Sequence, residues 1–172
     1  MKSKASKTMM AMAILSVLAV GGYVLKLWAT PTSGVTRTLI GRGTYNRFMV
    51  NAELNPSGGQ PRFQYIAKAQ PGMDLEVDTH DYQPLGSTGW HKHPGPVYIT
   101  VTSGQLTFYE FDDPTCSPHL YSKGQGFVDY GAGHIGINQD PSNPASDVTV
   151  AVTYVAGPFR TELSAGNPNC SF

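Results

Sequence analysis

Charged side chains are scarce in this sequence, and neither sign is in excess. Asp, Glu, Lys and Arg make up 14% of the 172 residues, with twelve acidic and twelve basic side chains. Four of the lysines lie within the first 26 residues, so the rest of the chain holds eight basic against twelve acidic residues, a formal charge of about −4. Nucleic-acid binding needs a basic patch or stripe. We therefore expect no nucleic-acid partner.

Familiar catalytic motifs are missing as well. The sequence contains no Ser-His-Asp spacing, no glycine-rich phosphate-binding loop and no Cys-x-x-Cys pair. These absences remove the support for a serine hydrolase, a P-loop nucleotide-binding protein or a thioredoxin-like redox protein. No internal repeat is present, and no convincing helical periodicity follows the first 30 residues.

Glycine and proline, in contrast, are plentiful, with 19 and 13 residues. Such a composition favours many short strands joined by turns, and a chain of this length forms one domain after a leader. We predict an all-β sandwich or closed barrel, with an irregular segment at 157–172. The predicted strands are 36–50 (one or two edge strands), 63–69, 74–82, 97–102, 105–111, 127–130, 134–138 and 148–155.

The strand at 74–82 alternates apolar residues with acidic residues and His80. This pattern predicts one face packed on the core and one face in water, with the acidic side chains and His80 on the wet face. His119 lies in a loop, so both histidines are predicted to be exposed and not to bind metal. Glu110 either points into the barrel or lies in water at its strand end, and the second reading is favoured.

The N-terminus combines three early lysines with an apolar run at 9–25. This is typical of an export signal or an uncleaved membrane anchor, and the length of the run favours the anchor slightly. We expect a periplasmic or extracellular body, tethered to the inner membrane by residues 9–25 if the leader is kept. The predicted divisions are a leader at 1–30, a β-barrel at 31–160 and an irregular tail at 161–172.

The chain has two cysteines, Cys116 in a loop and Cys170 near the C-terminus. In an oxidising compartment an even pair predicts a disulfide, which would stabilise the fold by roughly 4 kcal/mol by loop entropy. The alternative is two unpaired thiols.

Two histidines, His91 and His93, immediately precede an alternating run at 97–102. On an extended strand, residues two apart share a face with their Cα atoms roughly 6.5–7 Å apart, so both imidazoles can reach one metal ion. Taken alone, the pair could equally be two solvated loop histidines. A third histidine, His134, follows a glycine-rich turn and favours a three-histidine metal site.

The two histidine segments resemble the two motifs of the cupin superfamily. The first motif matches at His91, His93 and Gly104, and the second at Gly131, His134 and Asn138. The chain is most similar to small exported bacterial cupins with a Gly-Trp-His-x-His-Pro-Gly-Pro signature. The resemblance implies a double-stranded β-helix, which is a small jelly-roll barrel.

The sequence departs from the cupin pattern at three positions. Gly86 precedes His91 by one residue fewer than usual, Val97 occupies the place of the glutamate ligand, and Asp129 stands where proline is usual. A site of three neutral imidazoles carries no compensating negative charge. It is therefore less suited to Mn(II) than to one Cu, Fe or Zn ion.

The resemblance implies a metal-dependent oxidoreductase, because cupins with three histidine ligands include oxygen-activating enzymes. Three protein ligands leave coordination positions open, as in catalytic sites. The alternative is a non-catalytic module that binds a metal or a small ligand. We expect a small-molecule ligand or substrate, and a homodimer is a further expectation. The residues predicted to wall a substrate pocket are Trp90, Tyr98, Phe127, Tyr130 and Asn138, with barrel core as the alternative for the aromatic ones.

Overall fold

The computed structural model describes residues 31–54, 62–69 and 72–172. The predicted leader, including the apolar run at 9–25, lies outside the described residues. Within the described ranges, no helix has the length and apolar character needed to cross a membrane.

The described chain is all β. Its strands are β1 (Ser33–Tyr45), β2 (Phe48–Leu54), β3 (Phe63–Ala69), β4 (Met73–Ser87), β5 (His91–Lys92), β6 (Val97–Ser103), β7 (Gln105–Glu110), β8 (His119–Ser122), β9 (Gly126–Asp129), β10 (His134–Ile137), β11 (Ala145–Thr153) and β12 (Thr161–Glu162). The predicted edge region at 36–50 is divided between β1 and β2. The short strand β8 was not predicted.

Strand pairing defines a jelly roll. One sheet has the order β4-β11-β6-β9, with β1 added beside β4. The other has the order β5-β10-β7-β8, with β12 added beside β5. The end of β4 also pairs with β10, so this strand joins the two sheets. All of these pairs are antiparallel, and the predicted jelly-roll barrel is confirmed. β2 and β3 form a separate two-stranded sheet.

The hairpin of β6 and β7 supplies much of the core. Val97, Ile99 and Val101 are buried on β6 while the residues between them face outward, as the alternation predicts. Burying each such side chain contributes roughly 1.5–3 kcal/mol. The hairpin turns at Gly104, which has a φ of +66°, and a Cβ there would lie 2.9 Å from the carbonyl oxygen of Pro144. Only glycine fits that turn without strain.

The wet face predicted for β4 is wrong. Asp74, Glu76, Asp78 and His80 are buried, whereas the alternating Leu75 and Val77 are only half-buried. Alternation shows that a strand has two faces, but not which of them is covered. The contacts of β4 with its neighbouring strand determine which face is covered. Arg42 on the neighbouring strand β1 bonds Asp74 at 2.7 Å and Glu76 at 2.9 Å, so its side chain lies over this polar face.

The C-terminal segment is tied back onto the body. Cys116 and Cys170 form the predicted disulfide and pack against the core cluster around Trp90. The Nδ2 of Asn167 donates to the carbonyl oxygens of Glu110 at 3.0 Å and of Asp113 at 2.7 Å. The predicted irregular tail is thus largely non-repetitive, but β12 joins a sheet, and the residues just before β12 reach the barrel interior.

Candidate metal centre

Three buried imidazoles converge at one end of the jelly roll. His91 lies on β5, His93 follows it two residues later, and His134 on β10 pairs directly with His91 across the sheet. Their ring centroids are 4.5–5.4 Å apart, and one ring nitrogen from each lies within 4.8 Å of the others. Bonds from zinc to imidazole nitrogen are about 2.0–2.1 Å, so small ring rotations would bring all three onto one ion.

Backbone carbonyls fix the orientation of the first two rings. The Nδ1 of His91 lies 2.9 Å from the carbonyl oxygen of Gly89, and the Nδ1 of His93 lies 3.0 Å from that of Phe159. A carbonyl only accepts, so each Nδ1 carries the proton and each Nε2 keeps its lone pair. This is the arrangement in which proteins present imidazole to a metal.

A carboxylate fixes the third ring. The Nδ1 of His134 lies 3.3 Å from Oδ2 of Asp129, whose Oδ1 accepts from the backbone N–H of Gly131 at 3.0 Å. Burial acts to raise the pKa of Asp129, but the hydrogen bond and the charge of His134 outweigh it, so the pKa is lowered. Asp129 therefore stays ionised and directs Nε2 of His134 toward the other rings. The sequence marked Asp129 only as a departure from the cupin pattern.

The turn before His134 depends on glycine. Gly133 has a φ of +112°, and a Cβ there would lie 3.0 Å from the side chain of Leu163 and 3.1 Å from the carbonyl oxygen of His91. A larger residue would be strained and would push against the segment that carries the first ligand. The glycine-rich turn therefore sets where the third imidazole enters the site.

The environment keeps His91 and His93 neutral. Burial lowers the pKa of His91 well below its ordinary value, and the nearby His134 and Arg160 lower it further. Burial, followed by the charge of His134, lowers the pKa of His93 to about 4. The neutral form is the one that binds metal.

No carboxylate is grouped with the three rings as a further metal ligand among the described residues. Within the part of the chain that the structure describes, the only group of metal-ligating side chains is the three histidines. Val97 is fully buried in the apolar core, where cupins carry glutamate. Glu110 pairs with His134 across strands and is half-buried, which raises its pKa, but it is not part of the group. The favoured reading of Glu110 as a solvated strand end is therefore only partly right.

A small cavity lies against the imidazoles. It encloses about 10 Å³, which is room for roughly one water molecule. A larger groove of about 360 Å³ lies outside it, and His80, Phe159 and Arg160 line both spaces. The remaining residues of the inner wall are Tyr82, Thr88, His91, His93, Ile99, Phe108, His134, Asp147 and Thr149.

The five residues predicted for a substrate pocket lie outside this cavity wall. Trp90 is buried in a separate core cluster, and Phe127 packs on Phe108 at a centroid distance of 4.7 Å. Tyr98 is 39% exposed and Tyr130 is 86% exposed. Asn138 is buried.

The side-chain amide of Asn138 connects two loops through hydrogen bonds. Its Nδ2 donates to the carbonyl oxygens of Gln83 at 3.1 Å and Asn143 at 2.8 Å, and its Oδ1 accepts from the N–H of Asp140. These contacts give Asn138 a structural role in holding the two loops. Nearness in sequence to the histidines does not determine the face that an aromatic side chain occupies.

The sequence did not identify the other wall residues. His80 was predicted to be exposed but is 6% exposed, whereas His119 is exposed as predicted. Phe159 and Arg160 lie in a segment without periodicity, so no pattern could place them. Asp147 offered a signal, since it shares the alternation of the buried Ala145 and Thr149 on β11.

These donors fit a divalent transition ion. Three buried imidazoles, two with Nδ1 bonded to a backbone carbonyl and one with Nδ1 facing Asp129, form a nitrogen donor set suited to copper, iron or zinc.

Neither a protein-family model nor a curated protein matches this chain. Solved structures do match part of it. A cupin-like protein from Thermotoga maritima is 23% identical, with a TM-score of 0.44, over 53% of this chain and 65% of that one. A recombinant oxalate oxidase in complex with glycolate is 21% identical, with a TM-score of 0.43, over 51% and 45% of the two chains.

A third match is the polyketide cyclase RemF from Streptomyces resistomycificus. It is 20% identical, with a TM-score of 0.44, over 55% of this chain and 65% of that one. The matched region spans less than two thirds of each of these proteins. The likenesses carry no conclusion about the reaction, substrate or partners of this chain.

Proposed function

We propose that this chain is a cupin that binds one divalent transition metal through His91, His93 and His134 and acts as an oxidoreductase on a small molecule. The metal is copper, iron or zinc, with copper or iron needed for an oxygen-dependent reaction. The observation that carries the proposal is the convergence of three buried ring nitrogens within 4.8 Å of one another, with Nδ1 of His91 and His93 bonded to backbone carbonyls and Nδ1 of His134 facing Asp129.

A bound transition ion would supply Lewis acidity and, for copper or iron, electron transfer. The chain contributes the surroundings. Asp129 and two carbonyl groups hold the rings, while Ile99 and Phe108 exclude bulk water from one side. Phe159 and Arg160 stand between the inner cavity and the outer groove. A substrate larger than water must therefore displace these two side chains or react from the groove.

The alternative is a non-catalytic module that holds a metal or a small ligand. Two observations favour it: Val97 replaces the carboxylate ligand, and the inner cavity has room for roughly one water molecule. The small cavity does not fit a bound substrate in this conformation.

Elemental analysis of the purified body tests the metal site. The protein is produced through an oxidising export route, so that its disulfide forms, and is compared with His91→Ala and His134→Ala. We expect about one equivalent of metal in the parent and loss of most of it in both variants. His119→Ala is the matched control, because His119 is exposed and outside the site, and it should keep the metal. Retention of the metal by both site variants would refute the assignment.

Oxygen consumption separates the enzyme from the module. The copper- and iron-loaded forms are screened against phenols, thiols and sugars, with His134→Ala as the blank. Turnover that disappears in the blank supports an oxidoreductase. Inactivity of both loaded forms across the panel favours the module.

We also propose that the body is exported and that residues 9–25 either direct export or tether it to the inner membrane. The disulfide between Cys116 and Cys170 supports an oxidising compartment. Cell fractionation with intact-mass measurement tests this, since cleavage of the leader removes about 30 residues. Recovery of the full-length protein in the cytoplasm would contradict it. The expected homodimer stays a prediction.

A further inference from the structure

A second buried cluster of titratable side chains lies beside the metal centre. It contains His80 and Tyr82 on β4 and Asp147 on β11, each 6% exposed or less. The two strands are paired, and Asp147 lies directly opposite His80. One carboxylate oxygen is 2.9 Å from Nδ1 of His80, and the other accepts from the Tyr82 hydroxyl at 3.0 Å.

Burying a carboxylate is costly unless hydrogen bonds compensate it. Both oxygens of Asp147 are bonded, so the cluster is fully connected. Its three residues are not among the grouped metal ligands, and apolar side chains would fill the same space at no desolvation cost. A purely structural role for these three polar residues would therefore cost stability that apolar residues would not.

The contacts determine which nitrogen of His80 is available. The carboxylate of Asp147 accepts a hydrogen bond from Nδ1–H of His80, which leaves the lone pair of the ring on Nε2. The Tyr82 hydroxyl stays protonated as a donor, because burial and the charge of Asp147 raise its pKa well above its ordinary value. A carboxylate behind an imidazole is the arrangement that general bases use, since it stabilises the imidazolium that forms.

His80 also occupies the position that proton transfer requires. It lines the inner cavity together with the three metal-site histidines, and it lines the outer groove together with Arg37, Arg160 and Glu162. His80 is thus an imidazole shared by the two spaces. A proton taken up on the cavity side can leave to water in the groove.

We propose that His80 is the proton-transfer residue of this site and that Asp147 and Tyr82 are its positioning residues. The proposal rests on the proposed function, because it requires a reaction at the metal centre. An O–H or S–H group of a small molecule gives its proton to Nε2, and the electron pair of that bond stays on the donor atom. The imidazolium is balanced by Asp147 and then releases the proton to groove water. The substrate class is therefore a small molecule with an ionisable hydroxyl or thiol.

Acylation of histidine by diethyl pyrocarbonate tests the proposal without a substrate. The reagent attacks the unprotonated nitrogen, and peptide mapping reports the rate at each histidine of the zinc-loaded protein. His119 is the exposed internal reference. We expect His80 to react, and the three metal-site histidines to react only after zinc is removed.

Substitutions then test the positioning residues. Asp147→Asn removes the charge at nearly constant volume and is expected to slow acylation of His80, relative to His119, by roughly tenfold. Asp147→Glu, which keeps the charge, should recover part of the rate. Asp81→Asn is the matched control, because Asp81 is an exposed carboxylate next to His80 on β4 and lines neither the cavity nor the groove. It should leave the His80 rate unchanged.

Three outcomes would overturn the inference. They are an unreactive His80 where His119 is fully acylated, an unchanged His80 rate in Asp147→Asn, and loss of zinc in His80→Gln, which would make His80 a metal ligand. Failure of the proposed function gives a different result from failure of this inference. In that case the parent protein binds no zinc, while the rate of acylation at His80 can still be measured. On any substrate found, His80→Gln should lower kcat by roughly 10²–10⁴-fold with zinc, copper or iron retained.

Discussion

Replacing Asp129 by Asn is expected to weaken metal binding while the fold is kept. The Asp129 carboxylate lies 3.3 Å from Nδ1 of His134 and also accepts from the N–H of Gly131. Asn can keep the bond to Gly131 through Oδ1, but its NH₂ group then faces the imidazole. The proton of His134 is expected to move to Nε2, and the nitrogen that would bind the metal loses its lone pair.

The size of the effect follows from the role of such partners. Loss of a group that orients a metal-ligating histidine costs roughly 10–100-fold in affinity, or about 1.4–2.7 kcal/mol. Competition for zinc against a chelator of known affinity measures the change directly. Asp81→Asn is the matched control, because Asp81 is an exposed carboxylate on β4. It should leave zinc affinity unchanged.

Two results would refute this reasoning. An Asp129→Asn affinity equal to that of the parent would show that the carboxylate does not orient His134. An equal loss in Asp81→Asn would show a general charge effect in place of a specific contact. Circular dichroism of the zinc-free variant must match the parent for the comparison to hold.

Three further predictions concern the framework of the fold. The disulfide joins residues 54 apart, so the Cys116→Ser, Cys170→Ser double variant should lose roughly 4 kcal/mol of unfolding free energy in urea; an unchanged midpoint would contradict the prediction. Hydrogen bonds, first from the Thr115 side chain, lower the pKa of Asp113 from 3.8 to about 2. Its stabilisation is present above pH 4 and is lost as the pH falls toward 2, so the difference in melting temperature between parent and Asp113→Asn should vanish there; a constant difference would contradict it. Gly133→Ala should cost roughly 1–3 kcal/mol and reduce zinc binding, because φ there is +112°; full stability and affinity would show that the turn tolerates a side chain.

The parts of the fold that follow from local pattern could be predicted from the sequence. Val97, Ile99 and Val101 alternate with polar residues and are buried as predicted, and the turn glycine at 104 ends the strand. The convergence of the three histidines also followed from spacing and from the resemblance to cupins. These features depend on side-chain period and turn geometry, both of which are visible in one chain segment.

The features that depend on distant partners could not be predicted. The polar face of β4 is buried because Arg37 and Arg42 on β1 pair with its carboxylates. His80 is buried because Asp147 lies opposite it. Phe159 and Arg160 reach the cavity from a segment with no periodicity. Their positions depend on tertiary contacts that no single-segment pattern contains.

X-ray absorption at the zinc edge of the zinc-loaded protein tests the metal centre most directly. Three imidazole nitrogens at about 2.0–2.1 Å with one further light ligand are expected. A first shell containing sulfur, or one with fewer than two imidazoles in the parent protein, would contradict a site built from His91, His93 and His134.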